Sequence, residues 1–145
     1  MIRQEERLDA LERNVEELLR LNLDMPIVVE GKRDVAALRQ LGLTGEILTV
    51  NEGVPLIEFC DRLAARTNEA VLLPDWDRTG GNILRRLRDN LRGRVKMHRD
   101  IRKTFAVYAE VHDVESLPAY LGTLRRKVVM ATRDPRGTHD PRDGA

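Results

Sequence analysis

The sequence predicts an α/β domain built on an open parallel sheet, and three observations carry that prediction. Short apolar runs fall at residues 27 to 29, 46 to 50, 70 to 73 and 95 to 97, each of a length suited to a buried strand. Segments with apolar spacings of three and four lie between them. Glycine or proline punctuates most of the junctions. Strand and helix in alternation is the pattern of a parallel sheet covered by helices. Right-handed crossovers then place all the strand ends on one side, where such sheets bind their ligands. A chain of 145 residues fits one domain with one sizeable core.

Taken in order, residues 3 to 21 carry Leu8, Leu11, Val15, Leu18 and Leu21 on one stripe, with acids and bases alternating opposite. This is an amphipathic helix, ended by Asp24-Met25-Pro26. Ile27-Val28-Val29 is the first strand, and Glu30-Gly31 follows at once. Residues 33 to 41 read as a helix with Val35, Ala36, Leu38 and Leu41 inward, closed by Gly42 and Gly45. The second strand leads through Asn51-Glu52-Gly53 into a helix over 55 to 66, with Pro55 in its first turn and Leu56, Ile57, Cys60 and Leu63 inward. After the third strand comes the loop 74 to 81, then a helix on Ile83, Leu84, Leu87 and Leu91 that stops near Gly93. Beyond the short fourth strand, residues 101 to 108 and 114 to about 126 read as two further helices.

This gives an N-terminal helix over 1 to 25, an α/β domain over 26 to 130, and a tail over 131 to 145. The tail is rich in Pro, Gly, Asp and Arg and is expected to be disordered. The N-terminal helix is expected to pack on its own domain, giving a monomer. Weak pairing with a second copy through its leucines is the alternative.

Composition narrows the functional classes. Hydrophobic residues are 41% and charged residues 34%, as in soluble globular chains. No apolar run approaches the length of a membrane span, and the charged N-terminus is unlike a signal peptide, so a cytoplasmic setting is expected. Cys60 is the single cysteine, which excludes an internal disulfide and a cysteine zinc site. The net charge of +1 announces no polyanion partner. The local distribution does more: between Arg85 and Lys103 nine basic residues face two acids, while the first helix tilts acidic. That asymmetry is a footprint of a nucleic-acid face. Aromatic residues are only 3%, so a stacking platform for single strands is unsupported.

The informative polar residues are those that directly follow strands: Glu30 after the first, and Asp75 with Asp77 after the third. Carboxylates at a buried edge are costly unless solvated, paired or bound to metal. Mg²⁺ takes hard oxygen ligands, commonly one or two carboxylates, and keeps waters for substrate phosphates. The glycines of Arg78-Thr79-Gly80-Gly81 offer a phosphate close approach to a helix N-terminus.

At this point the chain resembles a known family. Ile27-Val28-Val29-Glu30-Gly31-Lys32-Arg33-Asp34 resembles the first Toprim motif, and Leu72-Leu73-Pro74-Asp75-Trp76-Asp77-Arg78-Thr79-Gly80 resembles the second. Size and the Glu-Gly-Lys-x-Asp form resemble small stand-alone Toprim proteins and the Toprim domain of the ribonucleases that mature 5S ribosomal RNA. The resemblance implies a Rossmann-like four-stranded parallel sheet flanked by helices, with the first helix as an addition. It further implies Mg²⁺, replaceable by Mn²⁺, on Asp75 and Asp77, with Glu30 as acid/base or further metal ligand. The expected activity is metal-dependent phosphodiester cleavage or phosphoryl transfer on RNA or DNA. The alternative is a non-catalytic module that binds nucleic acid, a nucleotide or a processing complex. A topoisomerase needs a nucleophilic tyrosine in a further domain, and a primase usually carries a zinc module and a larger body. Neither fits Tyr108, Tyr120, one cysteine and this length.

Weaker candidates surround these acids. Lys32, Arg85 and Arg86 could hold phosphate, as could the N–H groups of Gly80 and Gly81. Asp113-Val114-Glu115-Ser116 reads as a helix cap, and Glu115 is a possible additional site acid. Trp76 is an exposed aromatic candidate or is packed under its loop. Asp75-x-Asp77-x-Thr79 also matches the nucleophile motif of haloacid-dehalogenase phosphatases. That family begins with the motif and ends on a later acidic pair, whereas here it follows the third strand and no such pair comes after it.

Overall fold

The computed structural model describes residues 1 to 133. Its elements are α1 (Gln4–Asn22), β1 (Ile27–Val29), α2 (Lys32–Gln40), β2 (Ile47–Thr49), α3 (Leu56–Arg66), β3 (Glu69–Leu72), α4 (Arg78–Leu91), β4 (Lys96–His98), α5 (Asp100–Tyr108) and α6 (Leu117–Arg133). The four strands form one sheet in the order β2-β1-β3-β4, and every pairing is parallel. The expected α/β architecture is therefore present.

Side-chain alternation along the strands divides the core in two. Ile27, Val29, Val71 and Leu73 face one side, where α1, α2, α5 and α6 supply Leu11, Leu18, Leu38, Phe105 and Leu121. Val28, Ala70 and Leu72 face the other, against Phe59, Cys60 and Leu63 of α3 and Leu87 and Leu91 of α4. The connection through α2 thus runs over one face, and those through α3 and α4 over the other. Between β1 and β3 the direction of winding reverses. In an open parallel sheet that reversal leaves a crevice at the strand C-termini, the usual ligand position.

The leucine stripe of α1 is spent within the chain. Leu11, Val15, Leu18 and Leu21 are buried, and α1 packs along α5 and α6. Asn14 donates to the Ile101 carbonyl at 2.9 Å, and Asn22 accepts from the Gly45 N–H at 2.8 Å, which fixes the helix at its middle and at its C-terminal end. Gly93 has φ +77, the left-handed conformation that lets the chain turn from α4 into β4.

Several local expectations change. In α2 the inward alanine is Ala37, while Ala36 is exposed. In α3 the inward residue is Phe59, and Ile57 is 60% exposed, because the helix turns its Phe59-Cys60-Leu63 stripe to the sheet. The last helix begins at Leu117 and continues to Arg133. Residues 131 to 133, placed in the tail by composition, are helical because Val128-Val129-Met130-Ala131 contains no breaker. The remainder of the expected tail lies outside the described residues. No helix among the described residues is long and apolar enough to cross a membrane.

Candidate metal centre

Glu30 and Asp75 leave adjacent parallel strands, β1 and β3, at the winding reversal. They are 45 residues apart in sequence, yet the Glu30 carboxylate accepts the Asp75 backbone N–H at 2.8 Å. Asp75 Oδ1 in turn accepts the Val114 N–H at 2.9 Å. Asp77 Oδ1 accepts the Gly80 N–H at 2.7 Å and is the N-cap of α4. Each of the three carboxylates thus gives one oxygen to a backbone amide, and these bonds fix their orientation.

The electrostatics show mutual strain. Burial pushes the Asp75 carboxyl up to about 7, and the negative charges of Glu30, Asp34 and Asp77 add to the rise against the Val114 hydrogen bond. Glu30 is raised as well, first by burial and then by Asp77 and Asp34, while the bond from Asp75 opposes the rise. A group of acids that repel each other in a partly buried crevice is a place where a cation lowers the energy.

Two residues join this centre that local sequence reading did not place there. Asp34 is only 7% exposed and accepts the Gly31 N–H at 3.1 Å, so it faces inward beneath the Glu30 turn. Its signal was available: an acid three residues after the N-cap position is a capping pattern. Burial raises its carboxyl, and Glu115 and Asp113 contribute repulsion. Arg102, on α5, donates to the Pro74 carbonyl at 2.9 Å and to the Asp75 carbonyl at 2.8 Å. Burial lowers its guanidinium from the usual value, while the charges of Asp77, Glu30 and Asp75 work the other way. No local pattern marks Arg102, because its partners lie more than 25 positions earlier.

The other candidates divide. The Gly80 N–H is taken by the Asp77 carboxylate and the Gly81 N–H by the Asp77 carbonyl at 2.9 Å. Neither amide is open to a phosphate, which corrects the phosphate-cradle expectation for both glycines. Gly80 is needed for another reason: a Cβ there would lie 1.8 Å from the Asp75 carbonyl oxygen. Trp76 is not an exposed platform. Its ring stacks on Phe105 with centroids 5.3 Å apart, and its indole N–H donates to the Val111 carbonyl at 2.7 Å.

Lys32 is exposed at the start of α2. Glu115 is exposed and lies 3.9 Å from Arg33 in an ion pair, and Asp113 caps the following turn through the Ser116 N–H at 2.7 Å. Arg85 and Arg86 are exposed farther along α4, with Arg85 bonded to Asn82 at 3.1 Å.

The donor set suits a hard divalent cation. It is all carboxylate oxygen, with no thiolate or imidazole. Among the described residues no three acids, histidines or cysteines form a ready-made cage. Mg²⁺ does not require one, since it takes few carboxylates and retains water.

The reversal crevice and its acids define a class, an α/β domain of Toprim type. The Toprim domain matches residues 26–108, which include both motifs, Arg102 and all four strands. A UPF0292 protein of Methanocaldococcus jannaschii is 33% identical over 124 residues, covering 83% of this chain and 96% of its own. A UPF0292 protein of Methanosarcina barkeri is 37% identical, over 70% of this chain and 72% of its own. The chain belongs to the Toprim family, among its UPF0292 proteins. A solved structure, a putative protein from Aquifex aeolicus, shares the fold with a TM-score of 0.64 at 22% identity, over 72% of this chain and 95% of that one. A Toprim domain is a metal-binding, nucleic-acid-related module. The match leaves the haloacid-dehalogenase reading without support.

Proposed function

We propose that this protein cleaves phosphodiester bonds in RNA or DNA with a divalent cation, Mg²⁺ or in its place Mn²⁺, at Asp75, Asp77 and Glu30. The observation that carries the reading is the direct bond between Glu30 and the Asp75 backbone at the winding reversal, with Asp75 raised to about 7 among like charges. The free oxygens of Asp75 and Asp77 are the ones to hold the cation. When bound, it supplies Lewis-acid polarisation of a phosphate oxygen and an acidified water.

The chain supplies orientation and proton handling. Val114 and Gly80 hold the two aspartates through their backbone N–H groups. Arg102 holds the backbone between β3 and Asp77 by its carbonyls. Glu30, whose carboxyl burial raises above its usual value, is the residue to take a proton from an attacking group or give one to a leaving oxygen.

Cleavage of structured RNA and duplex DNA with Mg²⁺ or Mn²⁺ tests this, beside Glu30→Gln and Asp75→Asn. Both substitutions keep an oxygen acceptor for the backbone bond and remove the charge. Cleavage lost in both variants is expected. No cleavage by the native chain above these controls sinks the nuclease reading.

A further inference from the structure

Apart from Arg102, the basic residues from Arg88 to Lys103 fall into two groups. Toward the strand N-termini they are neutralised: Arg92 by Asp89 at 3.7 Å, Arg94 by Asp61 at 2.8 Å and Lys96 by Glu69 at 3.9 Å. Arg88, Arg99 and Lys103 have no acidic partner within ion-pair distance among the described residues. These three line a groove of about 450 Å³ along the free edge of β4, between α4 and α5. Leu84 and Met97 give it an apolar floor, and Asp100 is its one acid.

Both walls of the groove are fastened to the acid centre. The α4 wall starts on the Asp77 cap. The α5 wall carries Lys103 next to Arg102, which grips the Asp75 carbonyl. Arg99 directly follows the last residue of β4, so it lies at the same sheet edge as Glu30 and Asp75.

We propose that this groove holds the sugar-phosphate backbone of a nucleic-acid strand whose adjoining segment lies at the acid centre. The inference rests on the cleavage reading and adds to it the path of the substrate. Charge complementarity favours the occupant: three cations without an ion-pair partner, against the single acid Asp100, suit a polyanion. No phenylalanine, tyrosine or tryptophan lines the groove, and its one ring, His98, is bonded to Glu69, so backbone contacts dominate over base stacking. The apolar floor accepts sugar carbons.

The test is equilibrium binding of a short labelled RNA strand, and a DNA strand of the same sequence, over a salt series with Mg²⁺ present. All proteins carry Asp75→Asn so that the strand stays whole. The expected result is that Arg88→Gln/Arg99→Gln/Lys103→Gln weakens binding and reduces the slope of log affinity against log salt by about 2 to 3. The control Arg92→Gln/Arg94→Gln, at neutralised positions, leaves the slope within about 0.5 of the parent, since little free charge is removed. All positions lie at the surface, and a thermal melt confirms folding. If the parent binds and the groove variant binds with the same slope, the groove is overturned while the cleavage reading stands. If the parent binds neither strand at low salt, the nucleic-acid reading itself falls and takes the groove with it. RNA bound more tightly than DNA, with the loss confined to RNA, supports the groove and assigns it to an RNA backbone.

Discussion

Two charged regions meet at one end of the sheet, and they are built by opposite rules. In the loop after β3 almost every polar group has a protein partner: Asp75 with Val114, Asp77 with Gly80, the Pro74 and Asp75 carbonyls with Arg102, the Trp76 indole with Val111. Along α4, β4 and α5 three cations, Arg88, Arg99 and Lys103, reach the surface without an ion-pair partner among the described residues. The difference follows from burial. A charge withdrawn from water must be held by the protein or its energy is prohibitive, whereas an exposed charge costs nothing to leave free. The first region is therefore a shaped site that accepts small changes poorly. The second is a surface whose charges contribute little to folding and remain available to a partner.

The sharpest way to break this contrast is inside one helix. Gly80 and Gly81 are neighbours in the first turn of α4, and only Gly80 touches the loop. Its added Cβ would meet the Asp75 oxygen at 1.8 Å, while nothing lies within 4 Å of a Cβ at Gly81. Gly80→Ala is expected to destabilise the protein by about 3 kcal/mol, the upper range for an overpacked site. Gly81→Ala is expected to be neutral or to stabilise by up to about 1 kcal/mol, because alanine favours the helix. Urea unfolding of the two variants gives the comparison directly. Equal effects would mean that the loop is free to move away from α4.

Arg102 is the next largest. It is the one basic residue of the 85–103 stretch whose guanidinium is withdrawn from water and used by the loop. Arg102→Met leaves two carbonyls without their donor and is expected to cost about 2 to 3 kcal/mol. Arg102→Lys keeps the charge but not the planar fork that reaches both carbonyls, and is expected to cost about half as much. Arg102 acts through Asp75 rather than on substrate, so it is a positioning residue. Its particular mark is a further rise in the Asp75 titration in Arg102→Met, read from carboxyl chemical shifts, and its recovery in Arg102→Lys. A merely structural arginine would change stability and leave that titration in place.

Much of this was legible in the sequence, for physical reasons. The central strands β1 and β3 were visible because each is a run buried on both faces, the edge strands as short apolar runs between helices, and Glu30, Asp75 and Asp77 because strand ends on a parallel sheet share one edge. The inward faces of α2 and α3 were misjudged at Ala36 and Ile57. An apolar residue at the margin of a stripe has nearly the same spacing signal as one at its centre, and the rotation of the helix on the sheet decides between them. The glycines were read as a phosphate approach, whereas Gly80 is required by the closeness of the Asp75 carbonyl and Gly81 meets nothing. A backbone N–H already used as a cap donor looks the same in sequence as one left free. Arg102 and Val114 were beyond local reading altogether, since each meets the loop only through the packing of α5 and the α6 approach against β3. The division of the basic stretch into neutralised and free cations was likewise hidden, because Asp61 and Glu69 reach it from α3 and β3.

The smallest effect concerns protons at the shaped site, and its sign is set by the direction of the shift. Asp75 is raised from the ordinary carboxylate value of 3.8 to about 7, and Glu30 is raised in the same direction. Between those values the folded chain holds a proton that the unfolded chain has released. Folding stability in the absence of divalent cation is therefore greatest below about pH 4 with respect to these groups, and falls as pH rises toward 7. The loss from Asp75 is about 2 kcal/mol, less than the full shift implies because the carboxyl is partly solvated. Asp75→Asn keeps an acceptor for the Val114 N–H and removes the titration, so it is expected to be more stable than the native chain at pH 8 and level with it at pH 4. Mg²⁺ is expected to recover the same stability in the native chain at pH 8 and to do nothing for the variant. Melting temperatures at the two pH values, with and without Mg²⁺, measure all four corners. The free cations of the α4 and α5 walls supply the contrast: they carry no such linkage, and replacing Arg88 or Lys103 leaves this pH profile unchanged. A native chain whose stability rises from pH 4 to pH 8 without metal would show that Arg102 already neutralises the acids, and that the centre has no unmet charge for a cation to satisfy.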